Sequence, residues 1–308
     1  NQYHQYYCVD DSLGLPDNNI TDIYRDSHNR LWVATVNGVC LYQANGNFKR
    51  VSINSANKNI EKILEDKEGR IFFFTITDLY QYDEKNNKAI TRLSKMVEKN
   101  CYNFSCHIDR KDVLWIVTSY SVKGYRTRDL KLIAPNPVQS YPIASFLLDG
   151  HQLYISGYNG MQLFDTDTRK WQQLPAALQG LQIPNDMVSG IHPYGEKGNL
   201  LLSTTKHGLL YFNAQEETIL PQSDKNFPFE VPDMQVNKML TDSKGNLWLG
   251  SEDDGVKTIY RYKDMFNSMP ALQRAIGKQP VLSVATDRNH HLWISTKKNG
   301  LYMYDLQT

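Results

Sequence analysis

Short apolar runs recur along the chain, and each is bounded by polar turns. Examples are LWVAT (31–35), LWLGS (247–251) and LWIST (292–296), which are dense in β-branched and aromatic residues and too short for a helix. A segment with apolar first and fourth residues and a final Asp precedes each run, as in ITDIYRD (20–26) and VLSVATD (281–287). The pattern predicts two antiparallel strands joined by a tight polar turn.

This unit repeats along the chain. Alignment on the large residue of the second strand gives copies at Trp32, Phe72, Trp115, Tyr154, Leu201, Trp248 and Trp293. Their separations of 40, 43, 39, 47, 47 and 45 residues are typical of four-stranded propeller blades and longer than ankyrin or tetratricopeptide repeats. A third strand such as GVCLYQ and a weaker outer strand such as NFKRVSI complete each unit. We therefore predict an all-β fold, a seven-bladed β-propeller of four-stranded antiparallel blades.

The two ends of the chain complement each other. The seventh unit stops after its third strand, at LYMYDLQT, and an extra strand-like segment, HQYYCVD (4–10), precedes the first unit. We expect this N-terminal strand to close the last blade, which would remove the exposed sheet edges of an open array. Residues 1–308 would then form one propeller domain, with units beginning near residues 20, 60, 104, 143, 188, 236 and 281.

The repeated Asp and Trp residues are interpreted as architecture. Asp at the start of a tight turn accepts backbone N–H groups, and the chain offers Asp26, Asp66, Asp149, Asp242 and Asp287 at this position. DSKGN (242–246) resembles part of a calcium loop but lacks the alternating oxygen ligands and the distal Glu. The Trp position is expected to pack between blades, because Phe, Tyr and Leu replace Trp in other copies.

Composition excludes several partners. With 34 Lys+Arg against 33 Asp+Glu, no global charge favours nucleic acid, and no apolar run is long enough to span a membrane. The chain begins NQYHQYY, without an initiator Met and without the basic and apolar regions of a signal peptide, so we expect a processed or excised piece. The four cysteines lack the spacing of a zinc site. Cys101 and Cys106 either form a disulfide or remain free thiols, and we favour free thiols. No metal and no cofactor is predicted.

The variable positions carry the functional prediction. In a propeller, the turns between the second and third strands and the starts of the first strands lie on one face around the central channel. Differences between copies there predict a mixed-charge ring for a polar, oligosaccharide-like ligand, although a solvated rim without a ligand is the alternative. The candidate ligand-binding residues are Asp22, Lys62, Tyr158, Asn159, His207, Lys238, Asp253, Asp254 and Lys298.

Catalytic signatures are missing from the sequence. GxSxG, HExxH, a Walker loop and a dinucleotide fingerprint do not occur. Sialidase propellers carry an Asp box that DSKGNLW echoes, but that box is structural, and no Arg cluster accompanies it here. We predict no catalytic residues and no enzyme activity for this chain.

Three segments carry a family resemblance. DSLGLPDNNITDIYRDSHNRLWVATVNGVCLY (11–42), MLTDSKGNLWLGSEDDGV (239–256) and VLSVATDRNHHLWISTKKNGLYMYD (281–305) resemble the two-component regulator propeller repeat. That repeat builds the periplasmic sensor region of hybrid two-component histidine kinases of Bacteroidetes such as Bacteroides. Copies two to five depart from the pattern, with Phe72, Tyr154 and Leu201 in place of Trp.

The resemblance implies a role in signal transduction. The chain would be the first propeller of a periplasmic sensor region, followed by a second propeller, an Ig-like domain, a membrane helix and a histidine kinase. The ligand would be a glycan fragment, the output would be control of polysaccharide use, and the signalling form would be a homodimer. A propeller glycosidase or lyase and a protein-interaction scaffold are the alternatives. The resemblance names neither the ligand, the propeller that binds it nor the output genes, and it transfers no ligand residue by position.

Overall fold

A computed structural model describes most of the chain. The described residues are 8, 13–97, 101, 104–138, 142–157, 160–179, 181, 186–230, 234–251, 255–260, 281–286, 291–296 and 301–305. They divide into two compact units, the first made of residues 1–241 and 248–259 and the second of residues 242–247 and 260–308. All but one of the described elements are strands, as predicted.

Six antiparallel sheets, the blades, form in the first unit. Blade 1 is β1 (Ile20–Arg25), β2 (Leu31–Thr35), β3 (Gly38–Tyr42) and β4 (Phe48–Arg50), and blade 2 is β6 (Lys62–Glu65), β7 (Ile71–Phe74), β8 (Asp78–Asp83) and β9 (Lys88–Ser94). Blade 3 is β10 (Phe104–Ile108), β11 (Val113–Thr118), β12 (Ser121–Arg126) and β13 (Leu132–Pro137), and blade 4 is β14 (Pro142–Leu148), β15 (Gln152–Gly157), β16 (Gly160–Asp165) and β17 (Lys170–Gln172). After α1 (Ala176–Gln179), blade 5 is β18 (Val188–Pro193), β19 (Leu200–Thr204), β20 (Leu209–Asn213) and β21 (Thr218–Pro221), and blade 6 is β22 (Lys238–Thr241), β23 (Leu247–Gly250) and β24 (Val256–Ile259).

Each blade follows chain order, and the first strand of each contacts the first strand of the next, from β1 to β22. This arrangement of sheets is that of a propeller. The predicted number of blades is wrong for this unit, which has six blades instead of seven. The seventh copy forms a three-stranded sheet in the second unit, from β25 (Val281–Thr286), β26 (His291–Thr296) and β27 (Leu301–Asp305).

The N-terminal closing strand is not shown. Of the segment 4–10, only Cys8 is described, and its backbone bridges Leu15 in parallel. Closure of the last blade by this segment therefore stays a prediction, as does the single domain spanning residues 1–308.

In several blades, one Asp side chain accepts the backbone N–H groups of the first turn. Asp26 Oδ1 accepts the backbone N–H groups of His28 at 3.0 Å and Arg30 at 2.8 Å. The same pair of bonds, to the second and fourth residues after the Asp, recurs at Asp66, Asp109 and Asp242. The predicted role of the Asp as a turn acceptor is confirmed at Asp26, Asp66 and Asp242, while Asp287 lies outside the described residues.

The carboxylate also contacts the aromatic residue of the second strand. Trp32 Nε1 donates to Asp26 Oδ2 at 2.8 Å, and Trp115 Nε1 donates to Asp109 Oδ2 at 2.7 Å. Burial opposes the charge of Asp26, but hydrogen bonds from Trp32 and Arg30 outweigh it and hold the Asp26 pKa below its usual value. The indole therefore acts both as filler and as donor, and the sequence argument had given it only the packing role.

Asp149 differs from the prediction. It has a φ of 50°, Gly150 has a φ of 67°, and His151 donates its backbone N–H to Leu148 O at 3.1 Å. Two successive positive φ values in an Asp-Gly pair are typical of a type I′ hairpin, which needs no side-chain acceptor. Asp149 was therefore wrongly placed among the turn acceptors.

Apolar clusters fill the space between successive blades. Trp32 is fully buried against Phe73 and Tyr82 of blade 2, at ring-centroid distances of 5.6 and 4.9 Å. Trp115 packs in the same way on Phe164 of blade 4, at 5.2 Å. Phe72, Tyr154 and Leu201 are buried too, which confirms the packing role at these positions.

Trp248 is the exception. It is 40% exposed, beside Leu240 at 63% and Val256 at 67% on the same blade. The predicted burial between blades is therefore not found for this residue.

An additional strand joins blades 1 and 2. After β4, the chain forms β5 (Ser52–Ile53), which pairs in parallel with β9, the outer strand of blade 2. Asn87 reinforces the junction, since its side chain donates to Arg50 O at 2.9 Å and its carbonyl accepts the Ser52 N–H at 3.1 Å. The two blades are thereby joined through backbone hydrogen bonds.

The described cysteines are all free. Cys40, Cys101 and Cys106 are buried and Cys8 is half-buried. Burial raises the pKa of the Cys106 thiol well above its usual range, so this residue behaves as a small apolar side chain. The structure thus has free thiols and no Cys101–Cys106 disulfide.

Candidate functional site

Four of the nine predicted ligand-binding residues lie in the described part of the chain. They are Asp22, Lys62, His207 and Lys238. The other five, Tyr158, Asn159, Asp253, Asp254 and Lys298, lie outside it. The four described residues fall into two groups, one on the first strands of blades and one on a turn of blade 5.

Asp22 and Lys62 form an ion pair between blades 1 and 2. Lys62 Nζ lies 2.9 Å from Asp22 Oδ1, and Asp22 Oδ2 accepts the backbone N–H of Ile63 at 2.8 Å. The Asp22 side chain is 14% exposed and that of Lys62 41%. The carboxylate is therefore engaged in joining the two blades, and Lys62 keeps partial access to solvent.

The ion pair belongs to a series of equivalent positions, each four residues before the residue that opens the first turn. The members are Asp22, Lys62, Ser105, Ser145 and Lys238. Ser105 and Ser145 bond to each other through their hydroxyls at 2.5 Å, which joins blades 3 and 4. Lys238 is exposed on blade 6. Polar side chains in this series thus join blades 1 and 2 and blades 3 and 4, while the predicted ligand-binding ring stays a prediction.

His107 lies beside this series and contacts Ser145 of blade 4. Its Nε2 lies 2.9 Å from Ser145 Oγ and 3.1 Å from Ser145 O. Burial, together with the charge of Lys62, lowers the pKa of His107 to about 4. The imidazole is therefore neutral at physiological pH and serves as a hydrogen-bonding link between blades.

His207 is held by a residue that the sequence argument missed. The Asp186 side chain is fully buried, and its Oδ2 accepts a hydrogen bond from His207 Nδ1 at 2.6 Å. The same carboxylate accepts the backbone N–H groups of Thr205 at 2.8 Å, Lys206 at 3.0 Å and His207 at 3.0 Å. It also accepts the Thr205 hydroxyl. Asp186 thus fixes both the backbone of the turn and the imidazole.

The electrostatics of Asp186 follow from these contacts. Burial opposes its charge, but hydrogen bonds from Thr205, His207 and Met187 outweigh that cost and hold the Asp186 pKa well below its usual range. The His207 side chain is 55% exposed. Because Nδ1 is engaged with the carboxylate, Nε2 is the ring nitrogen available to a ligand.

Asp186 has no counterpart in the repeat. It lies in the connection before blade 5, outside the hairpin pattern, and its partners are about 20 residues further along the chain. Its only signal in the sequence is an acidic residue placed shortly before the first strand of a blade. No group of His, Cys, Asp and Glu residues in the described part of the chain is arranged to hold a metal ion.

The fold defines the first unit as a β-propeller, and a turn centred on an Asp side chain recurs in several of its blades. A family profile described as "Two component regulator propeller" matches residues 14–37 and 230–253. These two segments are thus similar to the repeat that the sequence resemblance indicated.

A curated relative and several solved structures are similar to this chain. Histidine kinase P4 of Formosa agariphila is 26% identical over 91 residues, which are 28% of this chain and 7% of that protein. The extracellular domain of the hybrid two-component system BT3049 from B. thetaiotaomicron has a TM-score of 0.58 at 16% identity, covering 93% of this chain and 40% of that one. Virginiamycin B lyase from Staphylococcus aureus has a TM-score of 0.59 at 14% identity, covering 79% and 80% of the two chains.

The structural likenesses show the fold alone, since their sequence identities are low. The chain spans less than half the length of the sensor domain and a small part of the curated kinase. None of the helices described in the structure is long and apolar enough to cross a membrane.

Proposed function

We propose that this chain is a ligand-sensing and assembly module, without enzyme activity of its own, in the periplasmic region of a hybrid two-component histidine kinase. The observation that carries the proposal is the pair of two-component regulator propeller repeats at residues 14–37 and 230–253. A glycan fragment is the proposed ligand, and control of polysaccharide use is the proposed output. A second propeller, an Ig-like domain and a second copy of the protein are the proposed partners.

The turn of blade 5 supports ligand binding. Asp186 holds His207 in one orientation while leaving it 55% exposed. A polar group that is fixed before binding loses little conformational entropy when a ligand arrives. A sugar hydroxyl at Nε2 would find the imidazole already in place, and Lys206 adjoins it on the same turn.

Ligand binding is tested with His207→Ala and the matched variant His151→Ala. His151 lies on the first turn of blade 4 and bonds to Asp149 O at 3.0 Å, away from the turn that Asp186 holds. In a glycan panel read by calorimetry, we expect one class of oligosaccharide to bind, His207→Ala to raise its Kd about 10-fold, and His151→Ala to leave it unchanged. Equal effects of the two variants would remove the blade 5 turn from the site.

The placement in a sensor kinase has its own test. The sequence downstream of this chain in the full-length protein should contain a membrane helix followed by a kinase domain. A secreted protein that ends in a hydrolase domain would favour a glycosidase or lyase instead. Absence of binding across the glycan panel, with dimerisation of the full-length periplasmic region intact, would favour a protein-interaction scaffold.

A further inference from the structure

A buried threonine supports the turn between the second and third strands in four blades. The four residues lie at the ends of second strands and are fully buried: Thr35, Thr75, Thr118 and Thr204. In blade 3, Thr118 Oγ1 accepts the backbone N–H groups of Tyr120 at 3.3 Å and Ser121 at 3.1 Å and donates to Ser121 O at 3.4 Å. The other three hydroxyls likewise accept a turn N–H and donate to a carbonyl oxygen at the far side of the turn. The backbone of each turn is therefore fixed from inside the blade.

The turn residues that donate an N–H group to these threonines differ in side-chain chemistry. They are Asn37 in blade 1, Thr77 in blade 2, Tyr120 in blade 3 and His207 in blade 5. The four turns occupy equivalent positions in their blades, so they lie on the same face of the propeller. A fixed backbone that carries variable side chains is typical of a binding surface. Each of these blades thus offers a different side chain from the same supported turn.

Tyr120 carries the largest of these side chains and is 48% exposed. In the described part of the chain, its hydroxyl forms no hydrogen bond and its ring contacts no other aromatic ring. The Tyr82 hydroxyl, by contrast, donates to Asn87 Oδ1 at 3.1 Å. The Tyr120 carbonyl accepts the Val138 N–H at 3.4 Å, which adds to the support of the turn. A half-exposed phenol ring on a supported backbone gives a large contact area with little loss of conformational entropy on binding.

We propose that the Tyr120 ring is a stacking platform for one pyranose ring of the ligand, which rests on the proposed function that the ligand is a glycan fragment. One face of a pyranose carries several C–H groups, so it packs against an aromatic ring as an apolar surface. The sugar hydroxyls lie at the rim of the ring, where they keep their hydrogen bonds with water. Tyr120 then supplies an apolar contact and His207 a polar contact to the same class of ligand.

The test uses tetrasaccharides of glucose, xylose, mannose, galactose and galacturonic acid. Titration of the 308-residue protein with each, followed by calorimetry, identifies the tetrasaccharide that binds most tightly. Tyr120→Ala should raise the Kd of that tetrasaccharide about 10-fold, because the stacking surface is removed. Tyr120→Phe should stay within about 2-fold of the wild type, because the ring is retained. Since Tyr120 lies half-exposed on a turn, both variants are expected to fold normally, which urea unfolding checks.

Tyr260→Ala is the matched control. Tyr260 is 63% exposed and follows β24, outside the turns that a buried threonine supports. This variant should leave the Kd unchanged. An unchanged Kd in Tyr120→Ala, a loss of binding in Tyr120→Phe, or equal effects of Tyr120→Ala and Tyr260→Ala would overturn the stacking and leave the proposed function standing. If the wild type bound none of the tetrasaccharides, both would be overturned.

Discussion

The indole nitrogen of Trp115 donates a 2.7 Å hydrogen bond to Asp109 Oδ2 inside blade 3. Among the described residues this is the sole side-chain bond to that oxygen, whereas in blade 1 Asp26 Oδ2 accepts both Trp32 Nε1 and Arg30 Nε. The same motif therefore has a second donor in one copy and lacks it in another.

This difference predicts unequal costs for one substitution. Trp115→Phe should lower the free energy of unfolding by about 3 kcal/mol, because a buried carboxylate oxygen loses its donor, and Trp32→Phe by about 1 kcal/mol less, because Arg30 remains. Urea unfolding followed by circular dichroism measures both. Equal costs would mean that the indole acts only as filler.

Gly124 gives a packing prediction. A Cβ at this position would lie 2.9 Å from Trp115 Cζ3, closer than side chains approach, so Gly124→Ala should destabilise the protein by about 1–3 kcal/mol. Gly250→Ala is the control, since its nearest neighbour would be Lys238 Cβ at 3.8 Å. Similar melting temperatures for the two variants would contradict the tight fit of Trp115 over Gly124.

His107 predicts a loss of stability in mild acid. Its pKa is about 4 in the folded protein and 6.5 ordinarily, so the unfolded chain takes up the proton first as the pH falls. This contribution to stability is complete above pH 6.5 and declines towards pH 4, with a loss of about 2 kcal/mol at pH 5. We expect His107→Gln to remove about that part of the difference between urea unfolding at pH 7.5 and pH 5. His151→Gln should retain it, and an unchanged difference in His107→Gln would show that other groups cause the acid sensitivity.

Asp186 predicts local order in the turn of blade 5. Asp186→Asn should increase amide hydrogen exchange at residues 205–207 about 10-fold or more, because the amide keeps one acceptor oxygen and turns an NH2 group towards donors that reach both carboxylate oxygens. Asp224→Asn is the control, since Asp224 accepts one backbone N–H, from Asn226, in a loop of the same blade. Exchange rates that stay the same in Asp186→Asn would show that the backbone alone orders the turn.

The N-terminal segment can be tested by truncation. If residues 4–10 close the last blade, removal of residues 1–12 should lower the melting temperature of the whole chain, while removal of residues 1–3 should not. Equal melting temperatures for the two truncated proteins would rule out closure by this segment.

The sequence predicted well what is local and repeated. The turn role of Asp26 depends on residues within four positions of it, and Trp32 occupies a position that recurs in every copy, so both appear as repeated patterns. The type I′ turn at Asp149 was also readable, from its Asp-Gly pair. The exposure of Trp248 was not readable, since its hairpin carries the same Asp and Trp pattern as that of the buried Trp32.

The candidate site was less predictable than the fold. Asp22 and Lys62 were identified as variable polar positions, yet their pairing across blades depends on the register of two first strands 40 residues apart. His207 was identified by its turn, whereas Asp186 lies outside every repeat. Contacts between residues that share no periodic relationship leave no pattern in a single sequence.

The short strand β5 has a mechanical consequence. Ser52 and Ile53 pair with the outer strand of blade 2. When the chain that connects the two blades is pulled, the force therefore acts along the parallel hydrogen bonds of β5 before it reaches β6. The first two blades should then unfold together under force and not one after the other.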